Sequence, residues 1–154
     1  MQEVKTINSM SDLLALINTT SETIYCRHSQ YPEKDMERGF SINWANGSRE
    51  PGLSFNTLGV GDGDEDQMHM ICRVLDIYQS KGLKCWIGSG ERVGTGTDNE
   101  PCLENVEMVA RVSNKCLRQA LAWNMVHIYH WPTAEEKLKA AKVVAMLKAC
   151  CTNG

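Results

Sequence analysis

With 154 residues and 17.2 kDa, the chain fits one domain large enough to bury a core without disulfides or a structural metal. Hydrophobic residues at 42% and charged residues at 23% are the ordinary globular mixture and exclude a disordered or collagen-like chain. The net charge of -3, with Lys and Arg dispersed, is a poor match for nucleic acid, and no membrane span or secretion signal stands out, so a cytoplasmic protein is expected.

In chain order, Ser11-Asp12 before Leu13, Leu14, Leu16 and Ile17 predicts a short capped helix with an apolar side. Thr23, Ile24 and Tyr25 predict a strand. Residues Gln30 to Glu50 mix charge, glycine and Asn46-Gly47, which reads as an irregular excursion with room for a turn or hairpin. From Asp64, the spacing of Met68, Ile71, Leu75 and Tyr78 predicts a helix ended by Gly82. Lys84 to Val93 and Val106 to Val112 read as neighbouring antiparallel strands. Ser113 is placed to cap a helix with Leu117, Leu121, Met125 and Ile128 on one face, interrupted by Pro132. Thr133-Ala134-Glu135-Glu136 matches a capping box opening a last helix with Leu138, Ala141, Val144, Ala145 and Leu147 on its apolar side.

No repeat or linker divides the chain. The expected fold is α+β, a single domain over 1–154, with one mixed or antiparallel sheet, a core over about 9–120 and a C-terminal helical extension over 121–151. The seven cysteines at 26, 72, 85, 102, 116, 150 and 151 show no CxxC pairs, so reduced thiols are expected. Cys150 and Cys151 read as small apolar residues or an oxidation liability.

Three segments carry candidate chemistry. In Tyr25-Cys26-Arg27-His28-Ser29, alternation puts Arg27 and Ser29 on one side of a strand, where a guanidinium beside a hydroxyl can receive an anion. The bland alternative is that Arg27 pairs with Asp35 or Glu100 and only pins the fold. In Pro51-Gly52-Leu53-Ser54-Phe55-Asn56, Leu53 and Phe55 take one face, leaving Ser54 and Asn56 to bind a ligand or to satisfy backbone groups. In Gly94-Thr95-Gly96-Thr97-Asp98-Asn99-Glu100-Pro101, two glycines loosen a loop on which Asp98 or Glu100 is the candidate general base, ribose-orienting group or ion-pair partner of Arg27. A simple turn at Asp98-Asn99 is its bland counterpart.

Other patterns carry less. Asp62, Asp64 and Asp66 imitate a calcium loop, but Gln67 stands where the glycine belongs and Arg73 where the closing glutamate belongs. His127 and His130 lack further zinc ligands and sit among Trp123, Tyr129 and Trp131, a packing pattern. Cys26 beside Arg27 and His28 is not a catalytic pair, because sequence neighbours on a strand point apart. No metal or cofactor is implied.

Taken together, Tyr25-x-Arg27-x-Ser29, Pro32-x-x-Asp35, Pro51-Gly52-Leu53-Ser54-x-Asn56-x-Leu58, Arg73-x-Leu75-x-x-Tyr78 and Val93-Gly94-x-Gly96-x-Asp98-Asn99-Glu100-Pro101 resemble an uncharacterised bacterial family, a domain of unknown function. The resemblance runs from about Ser9 to Ala120 and brings no activity with it. It departs at His28, where that pattern carries a tryptophan, and in the tail beyond Ala120, which is free to hold a partner surface.

Two functions compete. The first is a small binding module that holds an anionic or nucleotide-like ligand or a protein partner, a phage or mobile-element inhibitor of a host system being one form. The second rests on the order Arg27, Ser54, Glu100, which loosely resembles the arginine, serine and glutamate of NAD-dependent ADP-ribosyltransferases. That resemblance implies NAD held by Arg27 and Ser54 and oriented by Glu100, with Asp98 in the place of the usual acidic or glutamine residue.

Overall fold

A computed structural model describes residues 4–20, 22–43, 46–58, 64–76, 83–97, 99–127 and 134–152. Among them the chain forms β1 (Lys5–Ile7), α1 (Met10–Thr19), β2 (Ile24–Ser29), α2 (Pro32–Arg38), β3 (Leu53–Ser54) and β4 (Asn56–Leu58). It continues with α3 (Asp64–Asp76), β5 (Lys84–Thr95), β6 (Pro101–Val112), α4 (Asn114–His127) and α5 (Ala134–Thr152). The fold is α+β with a mixed sheet, as the sequence predicts.

The long β5–β6 hairpin is the spine, antiparallel from Cys85↔Val112 to Thr95↔Pro101 and bent by three register shifts. At one end β1 joins β6 in parallel, and β2 and then β4 add antiparallel on the β5 side. Residues Leu53–Leu58 connect the two edges of the sheet. β3 pairs with β6 at Leu53↔Leu103, and β4 pairs with β2 at Leu58↔Ile24, so the sheet curls toward itself.

The two sheet faces differ. Cys26, Cys85, Ile87, Ala110 and Val112 meet a helical layer in which Met10, Leu13, Met68, Ile71, Leu75 and Trp123 are fully buried. Each such aliphatic side chain contributes about 1.5–3 kcal/mol on burial. The other face carries a smaller cluster of Leu53, Phe55, Trp86 and Leu103. There Phe55 stands edge-on to Trp86, ring centroids 5.3 Å apart. Gly88 lies beneath both rings, where a Cβ would fall 2.8 Å from Phe55 and 2.9 Å from Trp86.

Several local predictions need correction. The cap of α1 is Ser9, whose hydroxyl accepts from the Asp12 amide at 3.1 Å, because the helix starts at Met10. The excursion from Gln30 contains α2, which shows no apolar stripe since only Pro32 is buried; Pro32 starts it and Gly39, at φ 81°, ends it. An Ile42↔Arg49 bridge and Gly47 at φ 72° make the hairpin that Asn46-Gly47 predicts. β6 begins five residues earlier than Val106, and β1 is a strand that three residues were too few to announce.

Ser113 caps α4 as predicted, its hydroxyl accepting from the Cys116 amide at 3.2 Å. Yet α4 buries Cys116, Leu117, Ala120, Trp123 and Asn124, with Leu121 and Met125 at the margin. On α5 the buried residues among those described are Ala140, Val144 and Leu147, whereas Leu138 is 61% exposed and Ala141 and Ala145 face solvent. Tyr78, Gly82, Ile128, His130, Pro132 and Thr133 lie outside the described residues. No helix among the described residues is long and apolar enough to cross a membrane.

Candidate functional site

Arg27 points away from the helical layer, toward α2 and the segment that precedes β3. Its Nε donates to Asp35 Oδ2 at 3.0 Å, and its Nη1 donates to Ser41 Oγ at 3.2 Å and to the Ser54 carbonyl at 2.8 Å. The Ser54 amide donates to the same Ser41 hydroxyl at 2.9 Å. Arg27 is 17% exposed at its side chain, and its charge is matched by Asp35, which Arg38 also approaches at 3.6 Å. The planar guanidinium suits this task because it offers several fixed donors at once.

Ser54 passes the connection on. Its hydroxyl donates to Glu100 Oε1 at 3.2 Å, and the Glu100 carboxylate sits against Gly96, where a Cβ would collide with it. The loop is closed by Gly96 N–H to the Glu100 carbonyl at 2.8 Å and by Asn99 in the left-handed region at φ 63°. Thr97 docks the loop on the neighbouring hairpin, donating to Glu50 at 2.7 Å and accepting from Asn43 at 2.9 Å. Ser54 therefore links Arg27, through its carbonyl, to Glu100, through its hydroxyl, although the three segments are far apart in sequence. Asp98 lies outside the described residues.

The remaining predicted residues sit elsewhere. Ser29 shares the Arg27 face, as alternation requires, but is buried and accepts from Trp86 Nε1 at 3.0 Å. Asn56 is half-buried in β4, opposite Cys26. His28 faces the helices and donates from Nε2 to the Leu75 carbonyl at 3.1 Å. The described cysteines, Cys26, Cys72, Cys85, Cys102 and Cys116, are all buried. Burial pushes the Cys116 thiol from 9.0 up to about 12, and hydrogen bonding to Cys26 together with burial holds Cys85 well above the ordinary thiol range.

Beside Trp86, at the end of the sheet where β5 begins and β6 ends, lies a cavity of about 480 Å³. Pro32 and Glu33 of α2 form one wall, and Ser113, Asn114 and Leu117 at the start of α4 form another. Trp86, Met108 and Val112 supply apolar lining, while Lys84 and Arg111 supply two cations. Arg111 Nη2 is 3.0 Å from Glu33 Oε1. A hydrogen bond to its own backbone amide, and then the Arg111 guanidinium and the Lys84 charge, hold the Glu33 carboxyl below its ordinary range. Ser113 takes the Cys116 amide, and Lys84 and Arg111 are the cations of the lining. Lys84 and Trp86 alternate along one strand, but only the Trp86↔Arg111 register brings Arg111 beside them, and no motif announces it.

The fold and this face define an α+β protein whose curled mixed sheet is backed by helices and carries, on its other side, a closed polar network beside a cavity. Residues 1–127 match the family of unknown function DUF6098, and the chain belongs to that family. The match ends at the last residue of α4, so α5 lies beyond it. No curated protein and no solved structure matches the chain.

Proposed function

We propose that the protein is a binding module for a small ligand with an anionic group, seated in the cavity between α2, the β5–β6 hairpin and the start of α4. The observation that carries this is the lining of that cavity, in which Lys84 and Arg111 stand beside Met108, Val112 and Leu117. Its volume of about 480 Å³ falls within the range of roughly 300–1,000 Å³ usual for small-ligand sites. The Arg27 network supports the site from behind: Arg27 is the cross-strand partner of Trp86, whose indole is held by Ser29. Titration calorimetry with 1-naphthyl phosphate tests this proposal. Binding should weaken about tenfold or more in Lys84→Ala/Arg111→Ala, since charge-assisted hydrogen bonds are lost. Equal binding by the folded double variant contradicts it.

One observation favours a second reading, an NAD-dependent transferase: the Ser54 hydroxyl is bonded to Glu100, and the Ser54 carbonyl to Arg27. On that reading the purified protein consumes NAD and Glu100→Gln abolishes the turnover. A wild-type protein that neither binds nor consumes NAD removes it.

A further inference from the structure

We infer that Glu33 occupies Arg111 in place of the ligand's anionic group, and that the cavity takes an aromatic phosphate monoester whose phosphate displaces it. The inference rests on the binding-module reading above and deepens it. Glu33 and Arg111 meet at 3.0 Å at the mouth of the cavity, with side chains 66% and 53% exposed, so the pair is easily exchanged. Lys84 lines the same cavity as Arg111 and supplies its second cation.

Once Glu33 is displaced, two positive charges face the incoming group, and a dianionic phosphate matches them better than a single carboxylate does. The guanidinium fork suits two phosphate oxygens, and the Lys84 ammonium suits a third as a point charge. Behind these cations the half-buried Met108 offers an apolar surface, flanked by the edges of the buried Trp86, Val112 and Leu117, with the thioether adapted to the edge of an aromatic ring. An anionic head and a flat apolar body fit that order of surfaces.

The test compares three probes of one shape, 1-naphthyl phosphate, 1-naphthoate and 1-naphthol, on wild type, Glu33→Gln, Arg111→Ala and the double variant. Wild type should prefer the phosphate to the naphthoate and the naphthoate to the naphthol. Glu33→Gln should bind the phosphate about three- to fivefold more tightly, as expected from freeing an exposed ion pair, and leave 1-naphthol unchanged. In the Arg111→Ala background the same substitution should have no effect. If wild type binds the probes but Glu33→Gln changes nothing, or weakens the phosphate, the displacement is wrong while the binding module stands. If no probe binds to folded wild type at millimolar concentration, both fall.

Discussion

Arg27 shows how one side chain can join segments that the sequence keeps apart. Its donors reach Asp35, Ser41 and the Ser54 carbonyl, so Arg27→Ala removes three partners and leaves a half-buried carboxylate without its principal countercharge. We expect a loss of about 2–3 kcal/mol in urea unfolding, less than a fully buried pair would give. Arg27→Lys should recover less than half, because one ammonium cannot span the same acceptors. Strand alternation made the shared face of Arg27 and Ser29, and that of Leu53 and Phe55, legible in advance. It could not show what the polar groups meet: the Ser29 hydroxyl is taken by Trp86 and the Ser54 hydroxyl by Glu100, choices made by strand pairing. The buried thiols give a pH prediction. A pKa raised in the folded state adds stability that is complete below the ordinary thiol value of 9.0 and is lost as pH rises from there toward about 12. The urea midpoint should therefore fall between pH 8 and pH 10.5, and changing Cys116 to Ala should reduce that fall.

At the scale of elements, α5 separates what periodicity reveals from what it cannot. Spacing puts Leu138 and Leu147 on one apolar side, and only docking of the helix tells them apart. The fold buries Ala140, Val144 and Leu147, the last two within the main core, and leaves Leu138 in solvent. Leu147→Ala should cost about 2–5 kcal/mol in chemical unfolding, whereas Leu138→Ala should stay within about 0.5 kcal/mol. The reverse order would mean that α5 docks by its other face. Long elements with strong patterns, α3 and the β5–β6 hairpin, were readable from residue order. α2 was not, because it is held by Pro32, Gly39 and charges and has no apolar stripe. β1 owes its strand state to the parallel partner that β6 provides.

For the whole molecule, one sheet separates two tasks. Its helical face holds the large apolar core, and its other face carries the Arg27 network, with the cavity bordered by Lys84 and Arg111 at the end of the sheet. The three polar segments picked out in the sequence do converge, but Arg27 and Ser54 are largely engaged with each other and with Asp35 and Ser41. The open space lies one step along the sheet, past Trp86, where register and α2 build what no contiguous motif could signal. The most direct test is intermolecular nuclear Overhauser contacts between bound 1-naphthyl phosphate and side chains of the protein. Contacts from the naphthyl ring to Trp86, Met108 and Leu117 are predicted; contacts confined to the Gly96–Glu100 loop and Ser54 would contradict the cavity as the place of binding.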